Sequence, residues 1–195
     1  MATSAEALTK SQAARRQRVL VAALQLGAEG GYDAVQMRDV AASAEVALGT
    51  IYRYFPSKDA LLAAAMVEWM EDLERRVTTK APRGDTTTER VYDVLRRAVA
   101  TMERQPKLAE AVITALTSDD REAGGASVST TDVMQRVLLR AFPDDVDPHT
   151  EAAIAKVLGH VWFSCLVAWS NGVGDLAWVS TELETACHLL CDHLG

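Results

Sequence analysis

The chain has 195 residues, 49% of them hydrophobic and 24% charged, a globular composition that excludes a disordered or low-complexity polypeptide. Its net charge of −7 speaks against a nucleic-acid partner when taken over the whole chain. Three cysteines, an odd number without an apolar secretory leader, exclude a disulfide framework, and no apolar run approaches the roughly 20 residues of a membrane span. A cytoplasmic protein with reduced thiols and no membrane partner is expected.

In chain order the pattern is helical throughout. Residues 12–29 place Val19, Leu20, Ala23, Leu24 and Leu26 at three-to-four spacing, and Gly30-Gly31 ends that helix. A short helix follows over Met37 to Ser43, then a linker at 44–47, then a third helix over Leu48 to Tyr54. The string FPSK breaks the chain; Ser57 is placed to cap a fourth helix from Lys58 to about Val77, with Asp59 in its first turn. The polar stretch TTKAPRGDTTT reads as the domain junction. Beyond it come a helix over Thr87 to Arg104 and another opening at Pro106. The Gly- and Ser-rich segment 118–129 is expected to be a loop. A helix over Thr130 to Phe142, one from Pro148 to Ser170 capped by Asp147, a turn at NGVGD and a last helix over Val179 to Leu194 complete the chain. The fold class is all-α, about nine helices. A helix-turn-helix domain over residues 1–57 joins, through the helix over 58–78, a ligand-binding and dimerisation domain over 79–195.

The charge is unevenly divided. Residues 1–60 hold seven Lys and Arg against six Asp and Glu, and the remainder hold 13 against 21. A mildly basic head on an acidic body fits a chain that touches phosphate at one end only.

Two short helices joined by a tight turn, after a longer supporting helix, describe a helix-turn-helix unit whose second short helix enters the major groove. Ile51 and Phe55 lie four residues apart and should pack on Val40 and the first helix. Gly49 then lets backbone approach DNA closely, and Thr50 can meet a phosphate or a thymine methyl. Tyr52 and Tyr54 offer phosphate donors on rigid arms, and Lys58 adds a cation at a helix N-terminus. Arg53 reads equally as a base contact or a solvated side chain. The Arg15, Arg16, Arg18 cluster reads equally as a minor-groove arm or a solvated helix end.

The stretch GGYDAVQMRDVAASAEVALGTIYRYFPSKDALL, Gly30 to Leu62, resembles the N-terminal domain of the TetR family of bacterial repressors, most specifically in its G-T-x-Y-x-Y-F-x-S-K string. The resemblance implies a homodimer with a DNA-binding head and a body that receives a small molecule. It implies DNA contact, on double-stranded palindromic operator DNA, at Arg38, Leu48, Gly49, Thr50, Tyr52, Tyr54 and Lys58. Two positions depart from the family pattern: Gln36 and Ala47 stand where hydroxyl residues would cap the two short helices, and Ala47 cannot cap.

In the body, Leu158, Val161, Leu166 and Trp169 together with Leu183 and Leu190 are expected at a dimer interface built as a four-helix bundle. Met66, Trp69, Met70, Met102, Ile113, Leu116, Met134, Leu138 and Trp162 are the candidate lining of an effector pocket, with plain core packing as the alternative for each. VWFSCLVAW, Val161 to Trp169, resembles the KstR-type actinobacterial repressors of sterol catabolism. That implies a steroid-derived effector, or its acyl-CoA thioester. A cationic-ligand regulator remains as a second reading, with Glu103 and Glu110 as its buried acids. Cys187, His188 and Cys191 lack an evident fourth ligand, so buried free cysteine is favoured over a metal site. No nucleophile elbow, P-loop or HExxH string occurs, and neither catalytic residues nor a cofactor are expected.

Overall fold

The computed structural model describes residues 9–194, with the backbone alone described at 121–124 and 126–128. Among the described residues there are nine α-helices and no strand. The head comprises α1 (Lys10–Ala34), α2 (Met37–Ser43) and α3 (Leu48–Tyr54); α4 (Lys58–Thr79) leads into the body, α5 (Thr87–Glu103), α6 (Pro106–Leu116), α7 (Arg121–Leu139), α8 (Pro148–Ser170) and α9 (Leu176–Cys191), closed by a 3-10 turn at Asp192–Leu194.

The helix starts follow from local capping chemistry. Thr9 accepts from the Gln12 amide while the Gln12 side chain returns to the Thr9 amide, and Thr86 with Glu89 repeats this box at α5. Ser57, Asp147 and Asp175 each accept from the amide three residues on and open α4, α8 and α9. Gly31 breaks the regular course of α1 at φ 74, a left-handed conformation available to glycine at little cost, and a last turn runs on to Ala34.

Two expectations are corrected. Of the expected loop over 118–129 only 118–120 are non-helical: α7 begins at Arg121 and carries the Gly- and Ser-rich stretch as helix. Thr130, Val133, Met134, Val137 and Leu138 are buried, mostly against α4 and α8, and this packing overrides the weak local propensity. The last helix starts at Leu176 rather than Val179, because the Asp175 carboxylate accepts from the Trp178 amide at 2.7 Å. A third point concerns membranes. By length and composition α8 is apolar enough to cross one, with a mean hydropathy of 1.5 over 18 residues. Its Ile154, Leu158, Trp162 and Leu166 are instead buried among α6, α7 and α9, so here it packs as a core helix.

The helix that positions everything else is α4. Leu61, Leu62, Ala63, Ala65 and Met66 are fully buried, and the stripe continues through Met70, Leu73 and Val77. One end packs on α1, the rest on α6 and α7. Arg16 of α1 bridges to Glu68 of α4 at 3.0 Å, and Gln17 donates to the other oxygen of the same carboxylate at 2.9 Å. Head and body therefore share one apolar core, through α4 and through direct packing of α1 on α6.

The turn between α2 and α3 is tight and imperfect. Glu45 adopts φ 53, a left-handed conformation that costs a non-glycine residue about 1–2 kcal/mol. Neither Gln36 nor Ala47 makes a side-chain cap bond, although Ala47 has the extended backbone of an N-cap at φ −68, ψ 142. Replacing Ala47 by Ser should supply the missing acceptor and raise the unfolding free energy by roughly 0.5–1 kcal/mol, read from the urea midpoint at unchanged slope; an unshifted midpoint would show that α3 needs no cap.

Candidate nucleic-acid interface

With seven residues, α3 is too short to be stable alone, so tertiary contacts must hold it. Ile51 is fully buried and Phe55, its C-cap, is 3% exposed; Leu48 and Tyr54 are half-buried against the same core. The guanidinium of Arg16 lies 5.2 Å above the Phe55 ring, which fixes the far end of the helix from outside.

The opposite side of α3 is open. Tyr52 is 50% exposed, Gly49 and Arg53 are exposed, and Thr50 is half-buried. From α2, Arg38 is exposed and has no ion-pair partner among the described residues. Arg53 leans on Tyr54, its guanidinium 5.2 Å from the ring centroid and one nitrogen donating to the phenol oxygen at 3.3 Å. That contact holds the Arg53 cation on the outer face beside the half-buried tyrosine.

Gly49 is informative because the fold does not need it. A Cβ at this position would meet nothing within 4 Å. Glycine in a helical turn gives up more backbone freedom on folding than alanine does, and no side-chain contact at Gly49 offsets that cost. What a bare backbone provides here is room for something outside the molecule to come close.

Lys58 is preset rather than free. Its ammonium lies 3.5 Å from the centroid of the Tyr32 ring and donates to the Tyr32 carbonyl at 3.3 Å. The Tyr32 hydroxyl in turn donates to Asp59 at 2.5 Å. Burial, then the hydrogen bond to Asp59 and the negative charges of Asp59 and Asp33, push the Tyr32 phenol up to about 12, so it remains a donor. This cluster ties the end of α1 to the first turn of α4 and fixes the lysine beside the recognition helix. Tyr32 is the residue that the sequence reading missed; the 26 residues between it and Lys58 leave no periodic signal.

The N-terminal arginines divide. Arg16 is used inside the molecule, on Glu68 and Phe55, and Arg18 donates through Nε to the Ala44 carbonyl in the helix-turn-helix turn at 3.2 Å. The minor-groove reading of these two is therefore replaced by a structural one. Arg15 is half-buried with no ion pair among the described residues.

In the body, eight of the nine candidate pocket residues, Met66, Met70, Met102, Ile113, Leu116, Met134, Leu138 and Trp162, belong to one closed core, and Trp69 sits half-buried at its rim. The space beneath Trp69, between α4 and α5, is only about 10 Å³, less than a ligand requires. Among the described residues, two buried polar atoms in this core have no hydrogen-bond partner, the Thr130 hydroxyl on α7 and the Trp162 indole nitrogen on α8. Of the six candidate interface residues, Leu158, Leu166 and Leu183 are fully buried in the chain's own core and cannot face a partner. Val161, Trp169 and Leu190 are half-buried, and Val157 and Leu189, which the sequence reading passed over, are 45% and 78% exposed. The helical period alone does not say which edge of a wide apolar arc faces inward.

Cys187 and Cys191 are fully buried; burial raises the first thiol to about 12 and the second to about 11, while His188 lies outside, paired with Asp192. Glu103 and Glu110, the acids of the cationic-ligand reading, are exposed.

Residues 19–65 match the family described as bacterial regulatory proteins, tetR family, and residues 84–190 match the tetracyclin repressor-like C-terminal domain. The HTH-type transcriptional repressor KstR of Rhodococcus jostii (strain RHA1) is 38% identical over 182 residues, covering 93% of this chain and 85% of that protein. The chain belongs to the TetR family. It is a DNA-binding transcriptional regulator built like the repressors it resembles. KstR of Mycobacterium tuberculosis (strain ATCC 25618 / H37Rv) is 34% identical over 182 residues, covering 93% of this chain and 83% of that protein. Among solved structures, a TetR transcriptional regulator from Rhodococcus sp. RHA1 superposes with a TM-score of 0.79 at 29% identity, covering 95% of this chain and all of that one. Thermus thermophilus FadR in complex with lauroyl-CoA shares the fold, with a TM-score of 0.67 at 23% identity over 90% of this chain and 92% of that one.

Gly49→Ala separates folding from binding at this TetR-type head. The substitution should leave stability equal or slightly raised while lowering affinity for a DNA site selected from random duplexes at least tenfold. Unchanged affinity would mean that DNA does not approach α3 at this position.

Proposed function

We propose that the protein is a cytoplasmic, dimeric repressor of lipid or steroid catabolism genes that leaves a palindromic operator when a small hydrophobic effector enters the body. The observation that carries the reading is that the likeness to KstR runs through head and body alike, covering 93% of the chain. The effector surroundings lie in the body, so likeness there bears on the ligand and not only on DNA.

Arg38, Gly49, Thr50, Tyr52, Arg53 and Lys58 meet the operator in this reading, with Leu48 and the Tyr54 hydroxyl at the edge of the contact. Phosphate contacts from the tyrosines, Thr50 and Lys58 set the register, and side chains on the outer face of α3 read base edges. A two-fold dimer presents two such helices to successive major-groove turns, roughly 34–36 Å apart. Its interface is the outer face of α8 and α9, through Val157, Val161 and Trp169 on one helix and Leu189 and Leu190 on the other. These exposed or half-buried apolar side chains extend over two adjacent helices, a patch that a soluble monomer rarely leaves bare.

The effector enters the methionine-rich interior. Thr130 and Trp162 support this: each leaves a buried hydrogen-bonding atom unused, which costs about 1–3 kcal/mol. An effector with an oxo or hydroxyl group at the α7–α8 seam would satisfy both. Opening the closed core displaces α4, and α4 carries Glu68, Lys58 and Asp59, the anchors of the head. DNA release is then a change in the angle between the two recognition helices.

The exposure of Glu103 and Glu110 removes the acids that a cationic ligand would require, which favours the neutral or anionic lipid reading.

In a gel shift on the selected operator, a sterol-derived CoA thioester or a fatty acyl-CoA should release the DNA, and a cationic dye should not. Release by the dye alone would overturn the lipid reading. For the dimer, Leu189→Glu together with Val157→Glu should shift the sedimenting species to a monomer and reduce operator affinity at least a hundredfold, with the helical circular dichroism unchanged; a dimer that persists would place the interface elsewhere.

A further inference from the structure

Lys58 is placed against the electrostatics of its own helix. It is the first residue of α4, where the unpaired amides of the first turn present the positive end of the helix dipole. A cation is disfavoured there, whereas a carboxylate such as that of Asp59 suits the position. Two acids stand next to this site in the chain, Asp59 beside Lys58 and Asp33 beside Tyr32. Among the described residues Lys58 nevertheless forms no ion pair.

The partners that Lys58 does have are neutral groups of Tyr32. The ammonium lies 3.5 Å from the centroid of the Tyr32 ring and donates to the Tyr32 carbonyl at 3.3 Å. That carbonyl also accepts from the Val35 amide at 3.2 Å and lies in the last turn of α1, at the negative end of that helix. A π face and a carbonyl hold a cation without cancelling its charge.

The hydroxyl of the same residue acts on the acid. It donates to Asp59 Oδ1 at 2.5 Å, a short bond to an ionised acceptor. Burial, followed by this bond and the charges of Asp59 and Asp33, raises the phenol to about 12, so the donor keeps its proton throughout the neutral range. Asp59 is thereby engaged by a neutral donor and not by the ammonium next to it in the chain. One side chain holds both members of a potential ion pair and keeps them apart.

We infer that Tyr32 is a positioning residue for DNA binding that acts as a charge separator: it prevents Asp59 from neutralising Lys58, so that the ammonium and the first-turn amides of α4 meet an operator phosphate with their charge intact. The inference rests on the operator reading of Lys58 above and adds a residue that acts through that lysine. A lysine that must leave a carboxylate to reach a phosphate contributes less to counterion release than an unpaired one, and the salt dependence of binding records the difference.

The test measures affinity for a selected operator against salt concentration, for wild type, Lys58→Ala, Tyr32→Phe, Asp59→Asn and Tyr32→Phe/Asp59→Asn, with the thermal unfolding midpoint of each. Tyr32→Phe retains the ring and the carbonyl and frees only Asp59. It should lower affinity and flatten the slope of log K against log salt by about one unit per protomer, the loss of one phosphate contact, as Lys58→Ala does. Asp59→Asn in the Tyr32→Phe chain removes the competing charge without restoring the phenol bond, and it should recover both affinity and slope. The gain from Asp59→Asn should be larger in the Tyr32→Phe chain than in wild type; equal gains in the two backgrounds would overturn the proposal. A hydroxyl that serves only the fold would lower the unfolding midpoint, leave the slope unchanged and leave the double variant as weak as Tyr32→Phe, which would also overturn it. A Tyr32→Phe protein that binds like wild type while Lys58→Ala binds weakly would remove Tyr32 and leave the operator reading of Lys58 standing. If Lys58→Ala changes neither affinity nor slope, that reading falls and the charge separator falls with it.

Discussion

Everything in this molecule depends on α4 being buried from end to end. A helix carrying Leu61, Leu62, Met66, Met70, Leu73 and Val77 on its inner faces gains about 1.5–3 kcal/mol for each large side chain withdrawn from water. Those side chains do not belong to one partner. The first turns serve the head and the later ones the body, so no position of α4 suits one domain without constraining the other. The polar contacts at its N-terminal half, Arg16 with Glu68 and the Tyr32, Lys58 and Asp59 cluster, add direction to an apolar contact that would otherwise tolerate sliding. A rigid link of this kind ties the position of the head to the packing of the body.

The recognition helix shows the opposite economy. It is short, uncapped and follows a turn with a left-handed glutamate, so its local preference is poor. Ile51 and Phe55 hold it in place from one side, and the other side is released from any structural task. Gly49 expresses that division most clearly, since it weakens the helix and touches nothing within the molecule. Local rules broken without internal compensation mark the places where function sets the residue.

Charge is arranged in three dimensions in a way that its order along the chain conceals. The arginines that look most like a DNA arm are partly spent indoors, with Arg16 on a carboxylate and an aromatic ring and Arg18 on a carbonyl of the turn. The basic residues of the acidic body, spread from Arg76 to Arg104, converge instead on one cleft because Asp93 and Arg97 fold the linker onto α5.

The sequence by itself determined the helical class, the bounds of α2 and α3 to the residue, the caps at Ser57 and Asp147, and the exposure of Gly49 and Arg53 on α3, because these follow from short-range periodicity, turn residues and capping. The same local rules misread 121–129, the N-terminal part of a helix whose later turns from Thr130 to Leu138 are buried, and missed Asp175 as a cap. Only the tertiary structure decided which apolar residues of α8 and α9 face inward. Leu158, Leu166 and Leu183 went to the core and Val157 and Leu189 to the outside, although all lie on apolar arcs. It also decided that Tyr32 holds Lys58 and that six distant cations share one cleft. Those outcomes depend on contacts between residues far apart in the chain, and no periodicity within a single helix records what lies on the other side of it.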